Sequence, residues 1–101
     1  MTVLDTFKTC DMIADLFNKK GFANSKGLVP QVMQSDDGKD SFVAIGVMPD
    51  HEMPSKGRQT EILIDAGLPV SRGKEIIPFY RCTNEGRIPP LHTPAFKNLN
   101  P

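Results

Sequence analysis

The sequence predicts a single α+β domain, in which an N-terminal amphipathic helix packs on a small, mainly antiparallel sheet of about three strands, with a short second helix. Three observations predict it: a helical apolar period near the N-terminus, two strand-like runs around a polar turn, and a further strand-like run after a helical segment. A chain of 101 residues can bury one core without a metal or a disulfide. We expect the domain to span residues 1–87 and a proline-rich, extended C-terminal tail to span residues 88–101.

The first helix is predicted to begin near Val3 and to end before Gly21. Its apolar residues recur with a period of 3.6 and mark the face that is expected to be buried; they are Val3, Phe7, Cys10, Ile13, Ala14 and Phe17. Gly21 is expected to be the left-handed residue that follows the helix, and Phe22 is then expected to pack against Phe17, as in a Schellman ending.

A second, narrower apolar stripe on this helix consists of Met12 and Leu16, which are one turn apart and lie off the main apolar face. Such a stripe either packs against another part of its own domain or serves as a surface for a partner. Both interpretations stay open, and we refer to these two residues as the apolar stripe.

Two strands, residues 28–34 and 41–48, are predicted to form a hairpin whose polar loop turns at Asp37-Gly38. The second strand is apolar at nearly every position, so we expect it to lie centrally with both faces covered. Pro30 has no backbone N–H to donate, and it therefore places the first strand at an edge of the sheet.

A short second helix is predicted over residues 59–66, because Gly67 fits the position after a helix and Leu68 would then contact Leu63. The Ile-Leu-Ile run in this segment also fits a strand, so the strand interpretation stays open. Residues 75–82 read as the last strand.

The charge balance gives the whole chain no attraction to nucleic acid or to anionic membranes, because 12 basic residues balance 12 acidic ones. Neither a signal peptide nor an apolar run of membrane-spanning length is apparent. Cys10 and Cys82 belong to no CxxC pair and are expected to be free thiols. A cytoplasmic protein without membrane contact is therefore expected.

One tripeptide pattern, Ser-basic-Gly, occurs three times in predicted loops, at residues 25–27, 55–57 and 71–73. Glycine lets backbone N–H groups converge on an anion, the serine hydroxyl donates a hydrogen bond, and the basic side chain supplies charge. The same residue types are also ordinary loop composition. We call the predicted anion- or partner-binding set the basic loop face; its members are Ser55, Lys56, Arg58, Ser71, Arg72 and Lys74.

Residue types that could bind metal or move protons occur at Asp50-His51-Glu52, at Cys82 and at His92, but without the spacing of a known site. We therefore predict no metal site and no cofactor, and an ordinary solvated loop at residues 50–52.

These features favour a small non-catalytic binding or regulatory protein that docks on a macromolecular partner through the basic loop face and the apolar stripe. The partner is expected to be a protein, a second copy of the chain included. Nucleic acid is less favoured, because few aromatic side chains are available for stacking. The alternative is a small enzyme that acts on a phosphorylated or carboxylated metabolite, with His51 or His92 as its acid or base.

Overall fold

The computed structural model describes residues 3–35, 37–68 and 77–89. Along these residues the elements are, in chain order, α1 (Val3–Lys20), α2 (Phe22–Ser25), β1 (Leu28–Gln34), β2 (Ser41–Val47), α3 (Lys56–Asp65) and β3 (Phe79–Arg81). The strands form one sheet in the order β1-β2-β3. The pairing of β1 with β2 is antiparallel over seven residue pairs, whereas that of β2 with β3 is parallel over three, so the sheet is mixed. The predicted α+β class is confirmed.

The hairpin of β1 and β2 follows the predicted strands closely, with Leu28 opposite Val47 at one end and Gln34 opposite Ser41 at the other. Gly38 adopts a left-handed conformation (φ 72°) in the connecting loop. β2 is the central strand and β1 is an edge strand, as the apolar run and Pro30 predict.

The main core lies between one face of the sheet and the helices α1 and α3. The residues that form it include Ile13 and Phe17 of α1, Val43, Ile45 and Val47 of β2, and Ile62 and Leu63 of α3. Alternating residues of β2 point to this face because side chains of a strand alternate between its two sides.

One part of the predicted apolar face of α1 is wrong, because Phe7 is 53% exposed while Thr6 is fully buried. At 100° per residue, Phe7 lies roughly 100° around the helix from the line through Ile13 and Phe17, whereas Thr6 lies on that line. The hydroxyl oxygens of Thr6 and Ser41 are 2.9 Å apart, so a hydrogen bond joins the first turns of the helix to the start of β2. This bond explains how a polar residue occupies the buried line.

Both predicted helix endings are present. After α1, Gly21 has φ 73° and donates its N–H to the carbonyl oxygen of Asn18 (3.1 Å), and the rings of Phe17 and Phe22 meet edge to face at 5.9 Å. After α3, Gly67 has φ 87°, and Leu68 donates its N–H to the carbonyl oxygen of Leu63 (3.0 Å). The segment predicted over residues 59–66 is thus a helix and not a strand.

The helix α3 begins at Lys56, three residues earlier than the prediction. Ser55 is its N-cap: the residue is extended, and its side-chain oxygen accepts a hydrogen bond from the backbone N–H of Arg58. None of the helices within the described ranges has the length and apolar character needed to cross a bilayer.

Candidate functional site

The candidate site lies at the N-terminal end of α3, where the second Ser-basic-Gly tripeptide is located. The hydroxyl oxygen of Ser55 is engaged as a helix cap, 3.3 Å from the backbone nitrogen of Arg58. No acidic residue occupies the first turn of α3, which instead carries Lys56 and Arg58. Because a helix N-terminus is the positive end of the helix dipole, these cations add to a positive potential that favours an anion.

Part of this charge is already balanced. The guanidinium Nη1 of Arg58 lies 2.6 Å from the Oε2 of Glu61, one turn further along the helix, and both side chains are at least half exposed. An exposed pair of this kind contributes about 0–1 kcal/mol to stability, so a stronger anionic partner can compete for Arg58. Lys56 is exposed.

A cleft of about 380 Å³ opens beside the start of α3. The residues that line it are Lys26, Glu52, Met53, Pro54, Ser55, Arg58 and Ile62. The fold thus brings Lys26 of the first tripeptide and Ser55 of the second to the lining of one cleft, although 29 positions separate them in the sequence. Ser71, Arg72 and Lys74, the remaining members of the basic loop face, lie outside the described residues.

Local contacts hold the walls of the cleft. The side-chain Nε2 of Gln59 donates to the carbonyl oxygen of Pro54 (2.9 Å), which fixes the loop before α3 against the helix. The ammonium of Lys26, another lining residue, lies 5.4 Å from the centroid of the Phe22 ring, a cation–π distance. This contact restrains the Lys26 side chain, which is half-buried.

The cleft combines two cations with an apolar floor. Ile62 is buried, whereas Met53 and Pro54 are partly buried and remain open to a ligand. Glu52 adds one anionic group to the lining. Lys26 and Arg58 can bind a carboxylate or a phosphate, and the apolar floor can contact an adjoining apolar group of the same ligand. The sequence prediction did not include Lys26 or Met53 in the site; the recurring Ser-Lys-Gly tripeptide was the signal for Lys26, and Met53 carried none.

The apolar stripe divides between two environments. Met12 is 47% exposed, whereas Leu16 is partly buried and packs against the main core. Leu16 is therefore a packing residue of the core, and Met12 is the accessible member of the apolar stripe. Phe7 and Ile64 are also more than half exposed, and neither was predicted to be.

His51 has a packing position outside the cleft. Its ring lies against Gly27, which has φ 65°, so closely that a Cβ atom added to the glycine would lie 3.0 Å from the ring Cε1. The ring Nδ1 is also 2.9 Å from a carboxylate oxygen of Asp50. His92 lies outside the described residues.

Cys82 is buried, and burial raises the pKa of its thiol. The positive charge of Arg81 lowers this pKa, but its effect is smaller than that of burial. A raised pKa lowers the thiolate fraction, which is unfavourable for a nucleophile. Cys10 and Cys82 are both free thiols, as predicted.

Among the residues that the structure describes, no group of three or more His, Cys, Asp and Glu side chains is arranged to hold a metal ion. Comparisons of the chain with protein-family models, with curated proteins and with solved structures find no match.

Proposed function

We propose that this chain is a small non-catalytic binding or regulatory protein, and that it docks on an acidic segment of a partner protein through the cleft beside α3. The observation that carries the proposal is the convergence of Lys26 and Arg58 on one cleft with an apolar floor. The target segment carries an Asp, a Glu or a phosphorylated residue next to a Leu, Met or Phe. The carboxylate or phosphate pairs with the two cations, while the apolar side chain contacts Met53 and Pro54.

The remaining members of the predicted binding surface extend this proposal. Lys56 is exposed one residue after the cap and adds charge at the margin of the cleft. Ser71, Arg72 and Lys74 belong to the third tripeptide and are proposed to extend the positive surface, with the exposed Met12 as an additional apolar contact. We place the interaction in the cytoplasm, and a second copy of the chain is one candidate partner.

The direct test is a double charge reversal, Lys26→Glu with Arg58→Glu. The structure favours survival of the fold, because Glu at position 58 would complete a Ser-x-x-Glu capping box with Ser55. The matched control is Lys8→Glu with Lys39→Glu, which changes the net charge equally at two exposed positions away from the cleft.

Binding is measured by fluorescence anisotropy with a labelled library of nine-residue peptides, each with three Asp or Glu residues around a central Leu or Phe. We expect the wild-type chain and the control to bind the same peptides, and the Lys26/Arg58 variant to lose at least tenfold in affinity. Equal binding by all three proteins, or no binding by the wild type, would refute the proposal. Preferential binding of a single-stranded oligonucleotide with a steep salt dependence would instead identify nucleic acid as the partner.

The alternative, a small enzyme with a histidine acid or base, requires a histidine in the same cleft as the basic groups. Of the described residues that line the cleft, none is a histidine, and His51 packs against Gly27 instead. No contact among the described residues supports this candidate, and His92 lies outside them.

A further inference from the structure

Three kinds of side chain line the cleft beside α3: cationic, apolar and anionic. The cations Lys26 and Arg58 and an apolar part that includes Met53 fit the acidic segment proposed above. The anionic member, Glu52, does not fit it, because its carboxylate repels the negative charges of such a segment. Glu52 instead favours a ligand that also carries a positive group.

The charges of Glu52 and Lys26 do not neutralise each other. Glu52 is exposed and Lys26 is half-buried. Among the described residues neither side chain belongs to an ion pair, whereas Arg58 pairs with Glu61. Lys26 contacts the Phe22 ring, which carries no formal charge. Two opposite charges that line one cleft without pairing can each bind the opposite charge of a ligand.

The volume of the cleft limits the size of that ligand. Sites for small molecules range from about 300 to 1,000 Å³, and the cleft, at about 380 Å³, lies near the lower end of this range. The two charges of the ligand must therefore be close together and next to a short apolar group. A free α-amino acid meets this requirement, because its ammonium nitrogen and its carboxylate carbon are bonded to the same Cα and lie about 2.5 Å apart.

We propose that the cleft beside α3 binds a free α-amino acid with an apolar side chain, such as leucine. Lys26 and Arg58 bind its carboxylate, and Glu52 accepts hydrogen bonds from its ammonium group. Its side chain packs on Met53, which is only partly buried in the cleft lining. The bound amino acid occupies the two cations that an acidic segment would use, so it is a competing, regulatory ligand. The proposal shares the cleft with the proposed function but does not require that function.

The wild-type chain provides the first test, with 13C at each methionine ε-methyl group. Met53 reports on the cleft, whereas Met12 on α1 and Met33 on β1 lie outside its lining. We expect added leucine to shift the Met53 resonance in a saturable manner and to leave the other two unchanged. N-acetyl-leucine lacks the ammonium group and leucinamide lacks the carboxylate, so each should bind about fivefold more weakly or worse, as expected for the loss of one charge-assisted contact.

This ligand series does not depend on the stability of any variant. A Met53 resonance that leucine leaves unchanged would overturn the proposal. Equal affinity for leucine and for either derivative would also overturn it, because one of the two charges of the amino acid would then make no contact. Equal shifts of Met53 and Met33 would count against it as well, since the binding would then not be confined to the cleft.

A substitution at Glu52 separates this proposal from the proposed function. Glu52→Gln removes the partner of the ammonium group with little change in size, and Glu85→Gln is the matched control at an exposed position outside the cleft. We expect Glu52→Gln to weaken leucine binding by about fivefold or more. The same variant should bind an N-acetylated acidic peptide at least as tightly as the wild type does, since a repulsive charge is removed.

The control variant should bind leucine as the wild type does. Unchanged leucine affinity in Glu52→Gln, or an equal loss in both variants, would contradict the contact between Glu52 and the ammonium group. If the wild type binds leucine but no acidic peptide, the proposed function is refuted while the amino acid site is supported. If it binds the peptide but not leucine, the amino acid site is refuted and the proposed function is supported.

Discussion

Gly46, on the central strand β2, gives the sharpest test of how the chain after β3 packs on the sheet. A Cβ atom at this position would overlap the Sγ of Cys82 and would lie 3.2 Å from the carbonyl oxygen of Val29. In an ordinary strand, replacing glycine by alanine stabilises a protein by about 0.4–1 kcal/mol, because the unfolded chain loses freedom. At Gly46 we expect the opposite sign.

The magnitude follows from the overlap. Forcing an extra methyl group into a packed site costs about 1–3 kcal/mol, and the gain from the unfolded state offsets part of it. We therefore expect Gly46→Ala to lower the free energy of unfolding by about 1–2 kcal/mol. With an m-value of about 1.5 kcal/mol/M, the urea midpoint falls by about 1 M.

A double-mutant cycle identifies the clashing atom. Cys82→Ala removes the Sγ atom, and by itself it is expected to cost about 1 kcal/mol, since it leaves a small cavity in the buried cluster of Ala44, Cys82 and Ile88. In the double variant the added methyl group occupies the vacated space. The combined loss should be smaller than the sum of the single losses by about 1 kcal/mol or more.

The assay is urea denaturation under reducing conditions, followed by circular dichroism. Gly57→Ala is the matched control, because Gly57 lies in the first turn of α3 with open space around it. This substitution should raise the free energy of unfolding by up to about 1 kcal/mol. If Gly46→Ala proved as stable as the wild type, or if Cys82→Ala gave no rescue, the packing of the Cys82 thiol against Gly46 would be refuted.

Three further contacts can be tested by single substitutions. The side chain of Gln31 donates to the carbonyl oxygen of Gly86 and accepts from the backbone N–H of Ile88. Gln31→Leu leaves both backbone groups without these partners, so we expect the free energy of unfolding to fall by about 1–3 kcal/mol and hydrogen exchange at the Ile88 amide to become faster. Unchanged exchange would contradict the role of these two hydrogen bonds. Ser55→Ala removes the cap of α3 and should lower stability by about 1 kcal/mol in thermal unfolding, whereas Ser55→Asp should preserve it; equal losses would contradict a capping role. The pKa of Asp37 is lowered from 3.8, mainly by the hydrogen bond from Ser35 and next by the backbone N–H of Lys39. Because the folded-state pKa lies below the unfolded value, its contribution is present above about pH 4 and disappears as the pH falls through the folded-state value. Asp37→Asn should therefore weaken the pH dependence of the free energy of unfolding below pH 4. If this pH dependence were the same in the variant and the wild type, the lowered pKa of Asp37 would be contradicted.

Features that depend on local sequence were predictable. Each helix ending depends on a few consecutive residues, so the left-handed positions of Gly21 and Gly67 could be predicted without knowledge of the fold. The hairpin is equally local, and its register follows from the alternation of strand side chains. Pro30 has no backbone N–H to donate, so the edge position of β1 could also be predicted from the sequence.

Features that depend on distant partners were not predictable. Thr6 is buried because Ser41 lies across from it, 35 positions away in the sequence, and nothing within α1 indicates that partner. Nothing in the sequence around Gln31 indicates its hydrogen bond with the backbone of Ile88, which lies 57 positions later in the chain. The parallel pairing of β3 with β2 likewise depends on the path of the intervening chain.

The candidate site shows both cases. The tripeptide pattern located Ser55, and Arg58 follows the tripeptide directly. The pattern also suggested that the hydroxyl of Ser55 would donate to a ligand. In the structure its oxygen accepts from the helix backbone, because a serine followed by an unpaired helical N–H is a cap first. The meeting of Lys26 with Arg58 required the fold.

Pro30 has a consequence for the behaviour of this protein at high concentration. Ile45 donates its N–H to Pro78 on the β3 side, and Pro30 is its partner in the antiparallel register, so the nitrogen of Pro30 faces the outer edge of β1. An incoming strand would find no donor at the middle of this edge. Edge-to-edge growth into fibrillar aggregates is therefore interrupted at β1, even though the strand is seven residues long and contains four apolar side chains besides the proline.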